Sequence, residues 1–79
     1  MARPALKRVG VIRTFILNRL EDESGVSGKG HVAIGVIFPS GRCVMEWLVH
    51  PYTMGWYTKI EDVIAVHGHN GKTEVEVYG

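Results

Sequence analysis

Seventy-nine residues with a net charge of +1, 46% hydrophobic and 22% charged, make a single ordered domain. They exclude a second domain, a disordered chain and the strongly basic surface of a typical nucleic-acid binder. A domain this small buries only about 60% of the surface its unfolded chain exposes. Cys43 is the single cysteine, so no internal disulfide supplements the core, which leaves metal binding, oligomerisation or unusually good packing. No apolar run approaches the ~18 residues that span a bilayer. The N-terminus lacks the apolar stretch of a signal peptide, so a cytoplasmic setting with no membrane partner is expected.

Residues 1–8, with Pro4 and scattered basic positions, read as a loose N-terminal arm, and residues 9–79 as the α+β domain. Residues 9–17 are β-branched and aromatic. Val11, Arg13, Phe15 and Leu17 fall on one face and Ile12, Thr14 and Ile16 on the other, the alternation of a strand. Basic Arg3, Lys7, Arg8, Arg13 and Arg19 precede the acidic Glu21, Asp22 and Glu23. Residues 20–30 (LEDESGVSGKG) carry three glycines and two serines, which is turn chemistry. Loops this long in a small domain are often functional.

Residues 31–38 and 43–49 are two strands joined through Phe38-Pro39-Ser40-Gly41. A three-residue loop with a glycine bulge sets Ile37 opposite Cys43 and Ala33 opposite Trp47. Val32, Ile34, Val36, Val44 and Leu48 then share one face, and Ala33, Gly35, Ile37, Met45 and Trp47 the other, with the small Ala33 and Gly35 leaving room beside the Trp47 indole. Residues 50–57 (HPYTMGWY) read as an aromatic loop. Thr58-Lys59-Ile60-Glu61 has the form of a capping box. It opens a helix with the stripe Ile60, Val63 and Ile64, closed by Gly68 as its C′ residue. Residues 73–78 alternate Thr73, Val75 and Val77 against Glu74, Glu76 and Tyr78, a final strand.

The expected fold is α+β: a small curved antiparallel sheet of about four strands with one short helix, in the order β-β-β-α-β. Both faces of the hairpin are apolar, and a helix about ten residues long, ~15 Å, covers only one. Either the sheet curls into a partial barrel or a second subunit covers the other face, so a homo-oligomer is expected.

Three segments, SGVSGKG at 24–30, VAIGVIFPSGRCVMEW at 32–47 and IEDVIAVHGHNGKT at 60–73, resemble a family of small proteins of phages, haloarchaea and actinobacteria. The family pattern has threonine where Lys29 stands and glutamates at Ile34 and Ile37, so this sheet is more apolar than the pattern. The resemblance implies membership and no particular activity; a viral origin would imply small proteins that bind and neutralise host components.

Four constellations bear chemistry. In the glycine-rich loop, Ser24, Ser27, Gly28 and Lys29 offer hydroxyls, backbone amides and a charge to an anion; equally, the glycines serve its turns. The P-loop spacing is absent. His67 and His69, one residue apart, are donors at a helix end, and a metal site would need His31, His50 or Cys43 besides, so no metal or cofactor is expected. Glu46 stands among apolar neighbours, and pairing with Arg13 or Arg42 is the expected resolution. Of the aromatics, Trp47 reads as core and Tyr57 as packing at the helix start, leaving Trp56 and Tyr52 to stack a ring.

No nucleophile elbow is present, and Cys43 reads as a core thiol. The leading expectation is a non-enzymatic protein that captures a small anionic, nucleotide-like host molecule through Ser24, Ser27, Gly28, Lys29, Tyr52, Trp56, His67 and His69. The alternative is an SH3-like module that binds a protein or nucleic acid. A histidine-dependent hydrolase built on His67 is the third.

Overall fold

The alternating apolar residues form strands, and all the strands meet in one sheet. The computed structural model describes residues 10–21 and 29–79, so the N-terminal arm and residues 22–28 of the glycine-rich loop lie outside the described residues. The elements are β1 (Arg13–Arg19), β2 (Gly30–Ile37), β3 (Cys43–Trp47), β4 (Met54–Tyr57), α1 (Ile60–His67), one turn of 3-10 helix (His69–Gly71) and β5 (Thr73–Tyr78). The strand order is β4-β3-β2-β1-β5, antiparallel throughout.

The expectation of about four strands and a partial barrel is therefore corrected to five strands in an open sheet. The extra strand, β4, arises from the segment read as an aromatic loop. Its four residues MGWY are too short to show alternation, and Gly55 lowers their strand propensity. The sheet stays open because β4 and β5 are opposite edges and never pair. Helix α1 carries the chain from one edge to the other across a single face. This also removes the barrel on which the SH3-like alternative rested.

The β2–β3 hairpin has the register that its turn chemistry dictates: Ile37 pairs with Cys43 and Ala33 with Trp47. The Phe38 amide donates to the Arg42 carbonyl at 2.8 Å, and Gly41 takes φ +95° in the three-residue loop. The core lies between sheet and helix, where Phe15, Leu17, Ala33, Ile37, Cys43, Met45 and Val63 are buried. Burying each large side chain stabilises the fold by about 1.5–3 kcal/mol. The room left by Gly35 is filled by the Phe15 ring rather than by Trp47, since a Cβ on Gly35 would lie 2.2 Å from Phe15 Cζ. Val32 joins this core instead of the opposite face. A bulge in β2, where the register passes from Leu17–Ala33 to Asn18–His31, turns it inward.

Helix α1 begins one residue later than the capping box requires. Its N-cap is Lys59, in extended conformation with no side-chain cap bond, and Thr58 falls outside the motif. Glu61 and Asp62 remain in the first turn, where the helix dipole favours them. Gly68 is right-handed, at φ −70°, and the left-handed turn passes to His69, Asn70 and Gly71 at +49°, +55° and +87°. Glycine is required at 68 for a different reason: a Cβ there would stand 2.5 Å from the Ile64 carbonyl oxygen. Among the described residues, no helix is long and apolar enough to cross a membrane.

Among the described residues, no element covers the face away from α1. It carries Ile34, Met54, Trp56 and Tyr78, all exposed, with Val36 and Val44 half-buried. Glu46 lies on this face and, among the described residues, pairs with neither Arg13 nor Arg42. Arg13 shares the parity of Phe15 and belongs to the helix side, and Arg42 is four residues from Glu46 along one strand, ~13 Å away.

The close seat of Phe15 on Gly35 predicts that Gly35→Ala destabilises the domain by ~2 kcal/mol through overpacking. Urea unfolding should show a lower midpoint at unchanged m-value. A variant with the wild-type midpoint would mean that the ring moves aside at no cost.

Candidate functional site

Antiparallel topology collects three connections at one end of the sheet. These are the ends of the β1–β2 connection at residues 20–21 and 29, residues 48–53 between β3 and β4, and the turn from α1 into β5. Backbone bonds tie them to their neighbours. The Leu20 amide donates to the Lys72 carbonyl at 2.7 Å, Thr73 to Gly68 at 3.0 Å, Trp47 to Thr53 at 2.9 Å and Leu48 to Val32 at 2.9 Å.

Beneath this end, on the helix side of the sheet, Arg19 closes β1 and pairs across to Thr73 at the start of β5. Both side chains are more than nine-tenths buried, at 7% and 5% exposure. The Arg19 guanidinium carbon lies 5.8 Å from the centre of the Trp47 ring, a cation–π arrangement. Trp47 in turn meets His67 edge-on at 5.1 Å. The Thr73 hydroxyl has no hydrogen-bond partner among the described residues, which is unusual for a buried polar group.

His67 is anchored by Tyr57, whose hydroxyl is 2.8 Å from Nε2. Gly55 permits this reach. The Tyr57 ring folds back over it, and a Cβ at 55 would stand 2.8 Å from the phenol oxygen. Burial holds the His67 pKa below the ordinary histidine value, and the positive fields of His69 and Arg19 add to the effect. Burial raises the Tyr57 pKa. At neutral pH the pair is therefore a protonated phenol against a neutral imidazole. The direction of this bond follows the imidazole tautomer: a hydrogen on Nδ1 leaves Nε2 to accept from the phenol.

The residues expected to bind a ligand divide as follows. Ser24, Ser27 and Gly28 lie outside the described residues. Lys29 is exposed at the entry to β2, at the same end as His67 and the exposed His69. Tyr52 is in the β3–β4 connection of that end, half exposed at φ +61° and edge-on to His50 at 5.9 Å. Trp56 stands apart: it alternates with Tyr57 on β4, so its indole is on the uncovered face, 75% exposed. His31 is also on that face, 3.6 Å from Glu76, whose carboxylate accepts from Asn18 at 3.0 Å and Tyr78 at 2.8 Å. The histidines are thus split between faces, and among the described residues no three metal-ligating side chains converge. Cys43 is buried, and burial raises its thiol pKa.

Arg19, Thr73, Trp47 and Tyr57 are site residues that the sequence reading did not assign. The signal for Arg19 was present. It continues the inward series Phe15, Leu17, Arg19, a charge at a core position directly before the glycine-rich loop.

A family model described as Acb5 phage protein matches residues 12–79, and the chain belongs to this family. The resemblance to small phage-type proteins holds at that level. No curated protein and no solved structure matches the chain.

The depressed pKa of His67 fixes the sign of a pH effect. Below the ordinary histidine value the unfolded chain takes up a proton that the folded site resists, so stability falls as pH drops through that range. Glu76 is held low by its hydrogen bonds from Tyr78 and Asn18, and its stabilisation is lost only at more acidic pH. The thermal midpoint should therefore fall between about pH 7.5 and pH 5.5, and His67→Gln should flatten this decline. An equal decline in both proteins would place the titration elsewhere.

Proposed function

We propose that this phage-family protein is a non-enzymatic binding protein that captures a small anionic, nucleotide-like molecule at the loop-bearing end of the sheet. The observation that carries the reading is the buried pair Arg19 and Thr73 beneath that end, set against Trp47 and His67. A guanidinium presents a rigid fork of donors matched to phosphate or carboxylate oxygens. The Thr73 hydroxyl, without a hydrogen-bond partner among the described residues, is a further donor at its side. His69 and Lys29, both exposed, supply donors and charge at the rim. On their chemistry, Ser24, Ser27 and Gly28 add hydroxyl and backbone amide donors, as glycine-rich segments do around anions. Tyr52, at the same end, offers a ring for a base. Trp56 has no part in this site, because its side chain is on the other face.

Membership in a phage protein family supports a role against a host component. A protein that holds a signalling molecule without converting it needs affinity and abundance, not a nucleophile. That fits a site whose described residues offer buried donors.

The test is calorimetric titration with a panel of mono-, di- and cyclic nucleotides. At least one should bind and stay chemically unchanged, and Arg19→Gln should weaken it at least tenfold. Because Arg19 is buried and its variant can lose stability, His69→Ala and Lys29→Ala serve as folded controls that each weaken binding several-fold. Trp56→Ala should bind like the wild type. A panel without binding, or binding indifferent to Arg19, His69 and Lys29, would overturn the assignment.

A further inference from the structure

The uncovered face is organised about one row of paired residues. Tyr78 pairs with Thr14, Thr14 with Val36, Val36 with Val44, and Val44 with Trp56, so this row crosses all five strands. On one side of it, the next residues of the same parity are Ile34 on β2 and Glu46 on β3. On the other side they are Phe38 and Arg42, which the strands still hold as a pair through the 2.8 Å bond from the Phe38 amide to the Arg42 carbonyl. The row thus has an isoleucine and a carboxylate on one flank and a phenylalanine and a guanidinium on the other.

Glu46 lines a depression of about 260 Å³ whose other walls include Thr14, Ile34, Val36, Val44 and Met54. The Glu46 carboxylate is exposed at this depression and open to a cation presented by another molecule. Among the described residues neither Glu46 nor Arg42 has an ion-pair partner, and strand spacing keeps the two apart within one chain.

We infer that this face is the interface with a second copy of the chain, related by a twofold axis that runs along the row from Tyr78 to Trp56. Such an axis reverses strand direction between the copies and keeps each strand over its counterpart. Val44 then meets Val44 of the other copy. Glu46 of each copy meets the other's Arg42, and Ile34 meets Phe38. Every contact is repeated by symmetry, which is the requirement of an isologous interface. Two sheets packed this way lie about 10 Å apart.

The face is about 24 Å across its strands and about 17 Å along them. Its footprint of roughly 400 Å² is half of what each partner buries in a standard interface. Association is accordingly concentration-dependent rather than obligate. This inference does not depend on the anion site, which is on the helix side.

Sedimentation equilibrium from about 1 µM to about 500 µM tests it, a range suited to weak association. The wild type should pass from monomer to dimer, with the Trp56 emission shifting to shorter wavelength. Glu46→Arg and Arg42→Glu, both at exposed positions, should each weaken dimerisation at least tenfold, and the double variant should recover it. A wild type monomeric throughout would overturn the inference. So would a dimer that the single charge reversals leave unchanged, or a double variant that stays monomeric.

Discussion

An eight-residue helix must join the two outermost strands of a five-stranded sheet, and the rest of the molecule follows from that constraint. Having left β4 at one edge, the chain can reach β5 at the other only by crossing a face, and α1 makes that crossing. Val63 then seals a core against Phe15, Leu17 and Met45. The same crossing brings His67 over Trp47 and delivers the chain to Thr73 beside Arg19. It also leaves the second face without a covering element among the described residues.

One end of the sheet consequently gathers polar groups in surroundings that strengthen them. Arg19 is buried against an indole, the His67 pKa is held low chiefly by burial, and the Thr73 hydroxyl has no hydrogen-bond partner among the described residues. In a partly desolvated setting each donor interacts more strongly with an anion than it would in water. The opposite face has another character, with a valine-centred row between separated opposite charges. The two proposals accordingly assign the faces different tasks, one the capture of a small charged ligand and the other association.

Much of the fold was legible in the sequence because its turn chemistry is local. Gly41 after Pro39 and Ser40 specifies a bulged three-residue loop, and that alone determines the register of β2 against β3. The alternation in β5 is equally self-contained. What escaped depends on distant partners. β4 is a strand because β3 offers it an edge, and Gly55 belongs there because the Tyr57 ring lies on it. The inward turn of Val32 reflects a mismatch between β1 and β2. Of the expected site residues, His67, His69 and Lys29 lie at one end of the sheet, whereas Trp56 is on the other face from His67, since neighbours on a strand point to opposite faces. Arg19 and Thr73 escaped because their closeness spans most of the chain.

Whether the protein captures a small anion is read by native mass spectrometry of the protein purified from phage-infected cells, with mass analysis of whatever denaturation releases. A phosphorylated small molecule should be released at a stoichiometry of about one per chain, retained in Trp56→Ala and lost in Arg19→Gln. A protein that emerges empty from infected cells, and stays empty when nucleotides are added back, would contradict it.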